Sequence, residues 1–172
     1  MENNKKIAGF TLVELLTSIT IFSLLMIIVS SVFVSILNAQ RRAFNIQQIE
    51  ENANFVLESM AKEIRVGQVG VVAEPNCPGA PLMSLAFVHP VNGNIVYSLQ
   101  GLDVHRSVNG TDTIISSNVV QFTRLQFCIS GSVVGDNKQP RITILASVKS
   151  TNTLQQQSMD IQTTLSQRSL SN

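Results

Sequence analysis

No proline or glycine interrupts the chain from Phe10 to Val66, and between Lys6 and Arg41 there is one charged residue, Glu14. The first absence removes the two residues that most readily break or kink a helix, so one continuous helix of up to about 85 Å is open to this stretch. The second absence excludes an ordinary solvated helix surface. About thirty residues drawn from Leu, Ile, Val, Phe, Ser, Thr and a few small or amide side chains span more than the roughly 30 Å hydrocarbon core of a bilayer. Charge is scarce elsewhere too, at 13% of residues with a formal net charge of +1. That balance gives no basic field to recruit nucleic acid, and beyond the leader Arg41-Arg42 is the one local pair, read as a solvated helix boundary. Two cysteines without a nearby histidine make no zinc site. A nucleophile elbow, a phosphate-cradling glycine loop, a metal-binding His-Glu helix and paired carboxylates at helical spacing are all missing, so no catalytic residue, cofactor site or enzyme is expected. His89, before Pro90, and His105, within a strand pattern, read as surface or satisfied histidines. Asp103, Asp112, Asp136 and Asp160 are scattered, and Asp136-Asn137 falls short of a calcium ligand set.

What is present is an unusual order of parts. A short polar leader with Lys5 and Lys6 ends at Gly9, and the apolar run Phe10-Thr11-Leu12-Val13-Glu14-Leu15-Leu16 begins after it. A secretory signal has its cleavage site behind the apolar region and loses it; a cut after Gly9 keeps it. Glu14 lies within the first turn of the apolar helix. It either sits near the interface, where ionisation costs little, or lies deeper among protein neighbours and requires a cation or proton. Lys5 and Lys6 are matched by Arg41 and Arg42, so the positive-inside count leaves orientation undecided.

Gly9, Phe10 and Glu14, in this order and spacing, resemble the type IV prepilin signature. The resemblance implies cleavage after Gly9 by a prepilin peptidase, N-methylation of Phe10, and a pairing of Glu14 with the N-terminal amine of a neighbouring subunit in a filament. It also implies a cytoplasmic leader, an inner-membrane anchor with an extracytoplasmic head, and an assembly platform that lifts the subunit out of membrane lipid into a pilus or pseudopilus. Many major pilins carry a proline in this helix, and its absence here points toward minor pilins and pseudopilins. The stretch from Asn54 to Arg65, the run Ile115-Ser116-Ser117-Asn118-Val119 leading to Leu125-Gln126-Phe127, and the tail Ile161 to Ser166 are loosely similar to J-type minor pseudopilins.

Ile46, Ile49, Ala53, Val56, Met60 and Ile64 recur at spacings of three and four, with Gln47, Glu51, Glu58, Lys62 and Arg65 mostly off the stripe, so one face of the helix is built to be covered. Glu58 and Lys62 suit an i,i+4 pair, and Gly67 ends the helix. From Gly67 to Pro81 the glycines and prolines mark a loop. Short apolar runs then alternate with turn signals at Asn92-Gly93, Gln100-Gly101 and Asn109-Gly110, giving strands over 82–89, 95–99, 102–108 and 111–115. Further strands are read over 119–130, around 142–149, and over 154–165, with a polar loop from Gly131 to Gln139. The expectation is an α+β fold: leader 1–9, transmembrane and filament-core helix 10–38, amphipathic continuation 39–66, and a β-rich head 67–172 containing an antiparallel sheet on which the helix packs. Cys77, in the loop, and Cys128, on a strand, both fall in the exported part, where a disulfide persists. Whether they bridge, or Cys128 is a buried thiol, is open from spacing alone.

The functional expectation is a minor pilin or pseudopilin, a structural subunit whose partners are other pilins, prepilin peptidase, the assembly platform and membrane lipid. A single-pass anchored binding domain is the alternative from another class, and a major pilin of the filament shaft is a third.

Overall fold

The computed structural model describes residues 9–70, 77, 79–132, 138–152 and 156–167. Helix α1 runs Leu12–Val66, followed by strands β1 (Ser84–His89), β2 (Gly93–Gln100), β3 (Asp103–Val108), β4 (Thr111–Ile114), β5 (Val120–Ser130), β6 (Arg141–Ser150) and β7 (Ser158–Ser166). Residues 1–8 of the expected leader 1–9 and parts of the expected loops, 71–76, 78 and 133–137, lie outside the described residues. So do residues 153–155, where the last expected strand begins. The chain divides into two units, Met1–Arg41 and Arg42–Asn172.

The second unit is an α+β head. Its strands form two antiparallel ladders rather than the one sheet expected, ordered β1-β2-β3-β4 and β5-β6-β7. The division follows from turn chemistry. Every connection within the first ladder is tight: β3 and β4 are joined by Asn109-Gly110, both at positive φ (50° and 90°), and Gly101 takes 64° between β2 and β3. Positive φ at both central positions is the type I′ geometry whose twist matches the flanking strands, and Asn-Gly supplies it at least cost. No such two-residue turn links β4 to β5, and the chain leaves the first ladder there. The ladders meet through the backbone pair Leu82 and Phe127 and through the Phe122 N–H, which donates to the Leu102 carbonyl at 2.9 Å.

α1 buries Ile49, Ala53, Val56, Met60 and Ile64 of the expected stripe in this unit, with Leu57 and Ala61 widening the face; Ile46 is half-buried and its neighbour Asn45 takes the buried position. Opposite them the strands contribute Leu85, Phe87, Ile95, Tyr97, Phe122, Phe127, Ile142, Ile144 and Val148, all buried. Each such large apolar side chain stabilises the fold by about 1.5–3 kcal/mol relative to exposure.

A polar bond crosses from helix to sheet beside this core. Glu63, in the last turns of α1, accepts two hydrogen bonds from Arg106 (Nε 2.9 Å, Nη2 2.6 Å), one from the Tyr97 hydroxyl (2.5 Å) and a longer one from Asn92 (3.4 Å). Tyr97 and Arg106 are directly paired across β2 and β3, so the register places both donors under one carboxylate. Burial alone would push the Glu63 pKa up, but the Arg106 and Tyr97 hydrogen bonds and the Arg106 charge outweigh it and hold the carboxyl below its usual 4.5. Burial first, and the Glu63 carboxylate second, push the Tyr97 phenol up. Forked, charge-assisted bonds of this kind fix orientation as well as distance.

The helix stops at Gly67, as its sequence indicates, but not for the expected reason alone. Gly67 does not adopt positive φ; a Cβ there would run into the ring of buried Phe87. The exposed carbonyls of the last turn are met by buried Gln167, whose Nε2 donates to Gly67 O (2.7 Å) and Ile64 O (3.3 Å) while its Oε1 accepts from Val69 N–H (3.4 Å). A residue a hundred positions away thus supplies the C-terminal cap.

Two outcomes follow for the head. Gly67→Ala should destabilise it by about 1–3 kcal/mol through overpacking against Phe87, read as a lower thermal midpoint. Because the folded Glu63 pKa lies below the unfolded one, its contribution is present above the ordinary carboxylate range and lost as pH falls through the folded value. Unfolding midpoints measured from pH 7 down to pH 3 should fall in acid. Glu63→Gln should lose about 2 kcal/mol at pH 7 and show a flatter acid limb; equal acid slopes in both proteins would remove the role given to Glu63.

Candidate functional site

The start of α1 is built by local hydrogen bonding. Thr11 is the N-cap: its hydroxyl accepts from the Glu14 N–H (3.3 Å) and its carbonyl from the Leu15 N–H (3.2 Å). Thr11-x-x-Glu14 has the form of a capping box, a signal present in the sequence and not read from it. Glu14 thereby occupies the third helical position, where the positive end of the helix dipole favours a carboxylate. Its side chain is exposed, and among the described residues no cation lies within ion-pairing distance. Gly9 and Phe10 directly precede the cap, and both are exposed.

Around Glu14 and along the rest of the first unit, large apolar side chains from Leu12 through Leu37 are exposed. A window of α1 is long and apolar enough to cross a membrane, with mean hydropathy 2.6. The hydroxyl residues scattered through it do not contradict that reading. Thr17 and Ser18 donate to Glu14 O, Thr20 to Leu16 O, Ser23 to Ile19 O, Ser30 to Met26 O and Ser31 to Ile28 O, at 2.7–3.0 Å. Each of these six hydroxyls is satisfied within the helix and can enter hydrocarbon without an unmatched donor. The ionised carboxylate of Glu14 has no such internal remedy.

Residues 4–30 match the prokaryotic N-terminal methylation motif. The match takes in residues 4–9 of the leader, Phe10, Glu14 and most of the apolar run, and it supports the type IV prepilin-like family; it does not extend to the head and says nothing of the J-type subgroup. No curated protein and no solved structure matches the chain.

The remaining sequence candidates are placed in the head. Cys77 and Cys128 are joined by a disulfide with Cα atoms 5.9 Å apart, spanning 51 positions. Closing a loop of that length removes unfolded-chain entropy corresponding to about 4 kcal/mol. His89 Nδ1 accepts the N–H groups of Val91 (3.2 Å) and Asn92 (3.0 Å) and so shapes the β1–β2 turn, and His105 pairs with Asp112 at 2.5 Å across β3 and β4. Glu58 and Lys62 form the i,i+4 pair at 3.0 Å, with both side chains exposed. Among the described residues no three His, Cys, Asp or Glu side chains gather as a metal would require. An open cleft of about 520 Å³ between α1 and β7, with Leu57, Glu58, Arg65 and Ile161 in its walls, draws together no cluster of titratable groups.

A non-reducing peptide map should show Cys77 and Cys128 in one linked peptide, and reduction should lower the thermal midpoint of the head; separate peptides without reductant would remove the bridge from the account of its stability.

Proposed function

We propose that this chain is a minor pilin or pseudopilin, a structural subunit of a type IV pilus or of a type II secretion pseudopilus. The observation that carries the reading is the methylation motif at residues 4–30 on a helix whose apolar segment, residues 12–37, holds one carboxylate, in its first turn. In this reading a prepilin peptidase removes residues 1–9 and methylates the new amine of Phe10. The protein sits in the inner membrane with its head outside the cytoplasm, where the Cys77–Cys128 bridge persists. It then moves into the filament as apolar helices exchange lipid contacts for one another. The methylated amine remains a cation, and its pairing with Glu14 of an adjacent subunit offsets the cost of taking both charges out of water. Residues 10–38 serve as anchor and filament core, 39–66 join them to the head, and 67–172 form the β-rich part of that head. The role is structural rather than catalytic. The unbroken helix, without the proline of many major pilins, favours the minor class.

The N-terminal peptide should be measured by mass spectrometry from cells with and without prepilin peptidase. A peptide beginning at N-methylated Phe10 only when the peptidase is present is the expected result; Met1–Gly9 retained in both strains would make the protein a membrane tether. Glu14→Leu should reach the membrane and be processed, yet be depleted from sheared filaments by tenfold or more, corresponding to about 1.4 kcal/mol or more of assembly free energy.

A further inference from the structure

Among the described residues, β7 is the one long strand with a bare outer edge. Gln167 N–H donates to Pro140 O, and Ser150 N–H donates to Gln157 O, both at 2.9 Å. These bonds set the phase of the β6–β7 ladder, because opposed residues in an antiparallel pair alternate between bonded and non-bonded positions. Met159, Ile161, Thr163 and Leu165 therefore bond to β6. Ser158, Asp160, Gln162, Thr164 and Ser166 turn their N–H and C=O groups outward, where no described residue meets them.

The other edges are closed or short. Gln68 bonds to Val88 at the edge of β1, Leu82 to Phe127 and Leu102 to Phe122 on β5, and β4 is four residues long. Bare edges invite pairing, and proteins guard them with Lys, Pro, bulges or brevity. β7 has none of these guards. It is nine residues long, contains no Lys, Arg, Pro or Gly, and pairs with β6 without a register shift. Its single charge, Asp160, is taken up by Ser147 and Arg124 of its own ladder. Beside this edge lies the cleft of about 520 Å³ against α1, with Leu57, Ala61 and Ile161 as apolar walls and exposed Glu58 and Arg65 at its border. Met159, Ile161 and Thr163 are only half-buried.

We propose that the β7 edge is a strand-docking site: an extended segment of another exported protein adds beside β7 as the fourth strand of that ladder and sets alternate side chains in the cleft against α1. Backbone chemistry selects the occupant. A row of outward N–H and C=O groups at strand spacing is matched by another extended chain, whereas a helix has spent its own backbone groups internally. The surroundings select its pattern: apolar residues on the side toward Leu57 and Ile161, polar residues on the side of Gln162 and Thr164, and a cation beside Asp160.

A second copy of this chain does not fit. The closed pairing of two β7 edges is antiparallel about Gln162, and its two-fold axis stands perpendicular to the sheet. That axis turns the partner's α1, which packs along the same sheet, end for end. The two helices then leave the pair at Arg42 in opposite directions, which one membrane does not accommodate. This exclusion, and the export of the partner, rest on the anchored reading above; the bare edge does not.

The test places the photoreactive analogue p-benzoylphenylalanine at Ser166 of the full chain, in cells that carry the export and assembly machinery, alone and together with Gln162→Pro. Proline at 162 removes only an outward N–H, so the β6–β7 ladder keeps its bonds. The expected adduct maps by mass spectrometry to an alternating, extended segment of another exported protein. Its yield should fall by about tenfold or more with Gln162→Pro, the loss of one or two hydrogen bonds, while the thermal midpoint of the head stays unchanged. No adduct, an adduct insensitive to Gln162→Pro, or one only with lipid or a second copy would overturn the docking site. The crosslinked segment is then added as a synthetic peptide to the unsubstituted full chain in detergent, and amide exchange is followed residue by residue. The Gln162 and Thr164 amides should slow by about tenfold or more, with Ile161 and Thr163 unchanged because β6 already holds them. Unchanged exchange at 162 and 164 overturns the proposal whatever the stability of the proline variant. The amino terminus is read in the same cells: N-methylated Phe10 without an adduct leaves the filament reading standing and removes the edge alone, whereas Met1–Gly9 retained with an adduct does the reverse.

Discussion

The hold of Glu63 on Arg106 and Tyr97 decides how the end of a very long helix is oriented on its sheet. Apolar packing between α1 and the strands supplies most of the free energy, but it is non-directional and would tolerate the helix sliding by a fraction of a turn. A bidentate carboxylate–guanidinium pair does not tolerate that. Arg106 and Tyr97, the residues that donate to Glu63, come from adjacent strands in fixed register, so the same carboxylate ties β2 to β3 and both to the helix. Gly67 lets the Phe87 ring come up against the helix end, the ring stacks on Tyr97 at a centroid distance of 6.0 Å, and Gln167 closes the last carbonyls. Polar and aromatic contacts thus converge on one turn of α1.

Much of this architecture is legible from local chemistry. The helix follows from missing breakers, and the turns at Asn92-Gly93, Gln100-Gly101 and Asn109-Gly110 follow from residues that accept positive φ. β1 through β6 lie close to the runs of β-branched and aromatic residues that announce them, because alternation is a property of the strand itself. What stays hidden is whatever depends on residues far apart in the chain. Nothing near Glu63 in the chain signals that Arg106 is brought beneath it. Nothing near Gln167 signals that it caps a helix a hundred residues earlier. The partition into two ladders turns on a missing tight connection after β4, and a list of strands does not contain it.

The candidate site shows the reverse balance. Gly9, Phe10 and Glu14 carry their meaning in spacing, and the match at residues 4–30 rests on that same short stretch. The fold adds the Thr11 cap, which gives Glu14 a place at the positive end of the helix dipole. A carboxylate there is eased by the dipole, but the site still lacks a full countercharge among the described residues. Local structure lowers the cost of the acid without removing its need for a partner.

The serine and threonine hydroxyls of the apolar segment have a further consequence. Because Thr17, Ser18, Thr20, Ser23, Ser30 and Ser31 each bond to a carbonyl of their own helix, none of them asks anything of its surroundings. Hydrocarbon tails and the side chains of another helix are equivalent hosts for them, and passage from one to the other leaves their hydrogen bonds unchanged. These six hydroxyls are portable between solvents; the carboxylate of Glu14 is not.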